Sequence, residues 1–184
     1  MQTAPPSPVD HFRISPLVRY TLLGLLLALM LPLPVLATRQ NAPVSPTVLV
    51  ALIVFAWMLL VAALSQRVET DTEGVRVDYP AWVPAFFGKR WRVRWADIVA
   101  LKASRTSQGG QVHYLVDRRG DRYLLPMRIA GFARFLRIFQ AQTGIDTAAV
   151  STLAQPWMYL ALLACVVVLF GCDLLVVAAA LGSR

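Results

Sequence analysis

Three stretches of this chain, residues 17–37, 47–64 and 157–181, are almost wholly apolar, and after Arg19 none of them contains a Lys or Arg. A helix needs about 20 mostly apolar residues to cross the hydrocarbon of a bilayer, and it satisfies its own backbone while doing so. These stretches therefore predict three transmembrane helices, and they account for a composition that is 57% hydrophobic. The connection TRQNAPVSP between the first two is short and rich in turn-formers, so those helices are expected to form an antiparallel pair.

Residues 66–146 differ in character. They hold most of the chain's Lys, Arg, Asp and Glu and are long enough to bury a small core of their own. Arg13 and Arg19 lie at the start of the first helix, Arg39 is the one basic residue in the connection, and Arg67 follows the second helix. By the excess of positive charge on the cytoplasmic side, the N-terminus and the 66–146 domain are expected in the cytoplasm. The Arg39 connection and the C-terminus are then outside. The Pro-rich leader, residues 1–16, reads as an irregular cytoplasmic tail. A rival reading of the same end is a cleavable signal peptide, with Arg13 and Arg19, an apolar core from Tyr20 to Leu31, and VLA ending at Ala37.

Within the domain the pattern is strands first and a helix last. RVET and VRVDY flank DTEG, where Gly74 is expected to supply the positive φ of a hairpin turn. PAWVPAFFG carries two prolines and is no central strand. RWRVRW and IVALKASRT follow, joined at Ala96-Asp97. SQGG turns the chain into QVHYLVD, and DRRGD turns it into RYLLP. The run IAGFARFLRIFQAQTG has helical spacing, with Ile129, Phe132, Leu136 and Phe139 on one stripe widened by Phe135 and Ile138, and Gly144 as its stop.

RWRVRW sets Arg90, Arg92 and Arg94 on one face of a strand and Trp91, Val93 and Trp95 on the other. A wet outer face, neutralised by acids such as Asp78 or Asp117, is the ordinary use of such arginines. The second use is docking on an anionic lipid surface, with Lys89 and the aromatic residues Trp82, Phe86 and Phe87 at the interface. Nucleic acid is not expected, because strand alternation alone produces this interleaving and no nucleic-acid motif accompanies it.

Catalytic apparatus is missing from the pattern. His11 and His113 have no metal-ligand spacing around them, and no nucleophile or phosphate-loop motif occurs. Glu69, Asp71 and Glu73 read as a solvated edge and turn. Cys165 and Cys172 stand about 10 Å apart along one helix face, too far for a mutual disulfide, and are expected to be buried thiols. Asp173 lies roughly 24 Å along the third helix, where a carboxylate is costly and often functional. Arg39 begins from the same side, so a pair between them is geometrically possible; placement at the interface by helix tilt and a protonated carboxyl are the alternatives. The chain is read as a non-enzyme without cofactor or metal.

TEGVRV at 72–77, FGKRWRVRWADIVAL at 87–101, YLVDRRGDRYLLP at 114–126 and the helix end FQAQTG resemble the bacterial pleckstrin-homology-like (bPH) domains found beside membrane helices. The resemblance covers residues 66–146. It implies an α+β membrane protein: three transmembrane helices and a bent, seven-stranded antiparallel sheet or barrel capped by a C-terminal helix. Trp95 would lie in the core and Asp97 would hold the turn. The DTEG turn is acidic where phosphoinositide-binding relatives are basic, which disfavours that ligand. WVPAFFGKRWRVRW is similar to a phrase of the photosystem I assembly factor of cyanobacteria and plastids, which has a helix hairpin and a cytoplasmic or stromal domain but no third helix. The expected function is a scaffold in a bacterial inner or thylakoid-type membrane that binds an unidentified membrane protein or complex. The competing expectation is a small transport or signalling subunit that uses Asp173.

Overall fold

The computed structural model describes residues 9–40, 42–84, 88–105, 111–148, 150 and 156–182. The predicted turn at Gly109 and Gly110 lies outside them. The protein is α+β, with two antiparallel sheets and three helices long and apolar enough to span a membrane. It divides into two units: residues 1–15 with 65–154, and residues 16–64 with 155–184.

Among the described residues the first unit contains seven strands and one α-helix. A four-stranded sheet has the order β1-β2-β3-β4, with β1 at Asp10–Arg13, β2 at Arg67–Thr70, β3 at Gly74–Asp78 and β4 at Trp91–Arg94. A three-stranded sheet has the order β5-β6-β7, with β5 at Ile98–Arg105, β6 at Gln111–Asp117 and β7 at Arg122–Leu124. The leader is therefore not irregular throughout. Asp10 to Arg13 pair antiparallel with Thr70 to Arg67, and Phe12 is buried in the core.

The helix α4, Phe132–Thr143, is the amphipathic run expected from the sequence. It starts and stops at glycines in the left-handed region, Gly131 at φ 78° and Gly144 at φ 70°. Its Phe132, Phe135, Leu136 and Phe139 join Val68, Val75, Val77, Val93 and Trp95 of the first sheet and Leu115 of the second in one core. Phe12 meets Phe135 edge to face at 5.9 Å, and Trp95 meets Phe139 at 6.0 Å. β1 is tied to the start of α4 by backbone bonds from Ser15 to Arg128 and from Ala130 to Arg13, and by the Arg134–Asp10 ion pair.

Gly74 corrects one expectation. It has no positive φ; its constraint is space, since an added Cβ would lie 2.1 Å from the Val93 carbonyl oxygen of β4. The β2–β3 turn is held instead by the Asp71 carboxylate, which accepts from the N–H groups of Glu73 and Gly74 at 2.8 and 2.7 Å. This local bonding lets an Asp do the work assigned to glycine.

The second unit is helical. α1, Pro16–Met30, and α2, Pro32–Arg39, form one apolar stretch interrupted at Leu31, because Pro32 and Pro34 have no N–H to continue the ladder. α3 is Pro46–Ala63 and α5 is Pro156–Gly182. α1 and α5 approach closely at Gly24, where an added Cβ would stand 3.0 Å from Val166. Cys165 and Cys172 are exposed on α5, which corrects the expected burial. They stand on a surface that is itself apolar, so exposure costs them little.

Candidate functional site

The cationic face of β4 is largely occupied. The Arg90 Nε sits 3.0 Å from an Asp78 carboxylate oxygen, and its guanidinium donates to the Val83 carbonyl at 3.1 Å. Arg90 thus braces the loop after β3. Arg92 reaches Asp71 at 3.2 Å and Glu73 at 3.1 Å, holding the acidic β2–β3 turn against β4. Arg94 makes no side-chain hydrogen bond or ion pair among the described residues. The alternation read from the sequence is present, with the arginines exposed, Val93 and Trp95 buried and Trp91 half-buried.

Asp78 serves two arginines, Arg76 and Arg90. Burial pushes its carboxyl up, but the Tyr79 N–H and the two guanidinium groups outweigh burial and hold it below the usual 3.8. Asp117, expected as another partner for the arginines, is used otherwise. It accepts from the backbone N–H of Arg119 and Asp121 at 2.8 and 2.9 Å and from the Tyr123 hydroxyl at 3.3 Å, shaping the turn after β6. Asp97 holds its corner through the backbone, its carbonyl accepting from the Arg118 N–H at 2.9 Å. Trp95 lies in the core and donates its indole N–H to the Asp71 carbonyl at 2.8 Å.

Two clefts are lined by described residues of this unit. One, of about 370 Å³, lies between the edge strands β4 and β7 and is walled by Tyr79, Trp91, Tyr114 and Tyr123, with Lys89 and Arg122 beside them. Trp91 and Tyr123 approach at 5.3 Å between ring centroids. Burial raises the Tyr79 hydroxyl above its ordinary 10.0, and burial with the Asp117 charge raises Tyr123. Gly88 permits this wall, since a Cβ there would stand 2.3 Å from the Tyr79 ring. The other cleft, of about 740 Å³, is polar and includes Arg94, Asp97, Arg118 and Arg119.

Of the aromatic residues expected at an interface, Trp82 is 58% exposed, while Phe86 and Phe87 lie outside the described residues. Lys89 is exposed at the first cleft. In the helical unit Asp173 Oδ2 is buried without a hydrogen-bond partner, so a pair with Arg39 does not engage that oxygen. No group of three or more His, Cys, Asp or Glu suited to a metal occurs among the described residues. The tyrosines and Arg118-Arg119 were not singled out from the sequence.

Over 171 residues the chain is 47% identical to an uncharacterized protein of Synechocystis sp., a match that spans 91% of this chain and 85% of that protein. The chain belongs to that protein's family. No family model matches it. Near-complete coverage means that the family shares both units, helices as well as sheets, and not the β unit alone.

Proposed function

We propose that this protein is a membrane-anchored scaffold, a pleckstrin-homology-like module beside three transmembrane helices that binds a protein partner at the cytoplasmic surface. The observation that carries it is the course of the chain between β1 and β2. These strands are hydrogen-bonded neighbours, yet α1, α2 and α3 lie between them in sequence. Pairing of β1 with β2 requires an even number of crossings between residues 13 and 67, in keeping with a helix hairpin. Two small antiparallel sheets and a following helix are in keeping with such a module, although one of their seven strands, β1, comes from the leader and not from residues 66–146. The positive-inside asymmetry supports a cytoplasmic β unit.

The aromatic cleft between β4 and β7 is the partner site. Tyr and Trp are the side chains that most often anchor protein interfaces, and two edge strands supply unpaired backbone groups for an extended segment. Lys89 and Arg122 favour a segment carrying acidic residues. Arg94 and Lys89 remain for contact with anionic headgroups, while Arg90 and Arg92 act mainly within the domain. Isolation of the full-length protein from its own membranes in mild detergent is expected to recover a defined membrane-protein complex, and Tyr123→Ala with Leu124→Lys to release the partner. Recovery of the bare chain from the unaltered protein overturns the reading.

A second reading has one observation in its favour, the buried unpartnered Oδ2 of Asp173. A transport or signalling subunit built on that carboxyl predicts loss of activity in Asp173→Asn with the partner still bound. A scaffold predicts no loss.

A further inference from the structure

We propose that the polar cleft at the corner between the two sheets binds a phosphomonoester. Three segments meet there: the end of β4 with Arg94, the turn through Asp97, and the hairpin tip after β6 with Arg118 and Arg119. The corner is clamped, because the Arg118 N–H donates to the Asp97 carbonyl at 2.9 Å and the Trp95 N–H to the Glu73 carbonyl at 2.9 Å. Gly120, at φ 87°, lets the hairpin turn tightly beneath the two arginines.

The charges of the cleft divide unevenly between used and unused. Glu73 is held by Arg92, and Asp117 accepts from two backbone N–H groups and the Tyr123 hydroxyl. Among the described residues the guanidinium groups of Arg94, Arg118 and Arg119 make no hydrogen bond or ion pair. A guanidinium is a planar fork suited to paired oxygens of an oxyanion. Three forks on one cleft suit the three terminal oxygens of a phosphomonoester better than the two of a carboxylate. Asp97 and Asp117, which make no ion pair among the described residues, weaken binding of a bare phosphate, and Asp97 accepts a hydroxyl from a carrier. A lipid headgroup and a soluble ester present this same chemistry. The site does not depend on the partner reading, which uses a different cleft, although Tyr123 borders both and is left unaltered in this test.

The test uses the full-length protein in detergent micelles and titration calorimetry with inorganic phosphate, glycerol 3-phosphate and soluble dihexanoyl phosphatidic acid, with acetate as the control anion. The unaltered protein is expected to bind at least one phosphate compound saturably and acetate not at all. Binding of either soluble compound identifies a soluble ligand; binding of the phosphatidic acid alone identifies a headgroup. Arg94→Ser with Arg118→Ser and Arg119→Ser is expected to weaken binding about tenfold or more. Arg67→Ser with Arg128→Ser and Arg137→Ser removes the same charge from elsewhere and is expected to leave it unchanged. Asp97→Asn keeps every arginine and is expected to tighten binding of inorganic phosphate. Absence of saturable binding by all three compounds, equal losses in the two triple variants, or acetate binding as strong as phosphate overturns the proposal.

Discussion

At Gly74 the missing side chain is what allows β4 to lie against β3, with the Val93 carbonyl occupying the place a Cβ would take. Gly74→Ala must push two paired strands apart, and a loss of about 2 kcal/mol or more is expected in thermal or denaturant unfolding. Gly120 makes a useful contrast, with open space around it but φ at 87°. Gly120→Ala is expected to cost about 1–2 kcal/mol, the strain of a left-handed alanine alone. His113 supplies a pH dependence. It is buried beside Met127 Sδ at 3.4 Å, and burial lowers its pKa below the ordinary 6.5. Its neutral form is the folded form, so its contribution is fully present above pH 6.5 and declines as pH falls through the lower folded value. The melting temperature of the β unit, followed by Trp fluorescence, should drop more steeply below that pH than it does in His113→Gln.

Among the elements, β1 is the strand whose removal would reach furthest. Phe12 contributes an aromatic ring to the core against Phe135, and Phe12→Ala is expected to destabilise the unit by about 3–5 kcal/mol, measured as a shift in the unfolding midpoint. Signal-peptide cleavage after Ala37 would delete this strand altogether, so mass spectrometry of native membranes is expected to find a protein that retains residues 10–13. The sequence discloses its elements unequally for physical reasons. α3, α4 and α5 were legible because long apolar runs and a helical stripe are local patterns. DHFR has one apolar residue in four, and its partner lies 54 residues later by the Arg13–Arg67 register; no local signal can announce such a strand. The same holds for the clefts. The alternation of RWRVRW was readable, but Trp91 and Tyr123 meet across two sheets, and Arg94 meets Arg118 and Arg119 only once the corner closes.

For the whole molecule, the topology proposed above for the three apolar helices and the β unit is one that labelling can check. With Cys165 and Cys172 replaced by Ser, a cysteine at Ala42 is expected to react with impermeant reagent from the side opposite to one at Ser104. Labelling of both from one side would remove the hairpin and the scaffold reading with it. The adjacency of β1 and β2 around the inserted helices has a further consequence for how the protein is made. In the proposed topology the first strand would leave the ribosome well before its neighbour and could meet it only after the apolar stretches between them had crossed the lipid and returned the chain. Completion of the sheet would then report on insertion: a chain whose hairpin stalled would leave Phe12 and the rest of its edge unpaired, while a correctly threaded one would close its own seam.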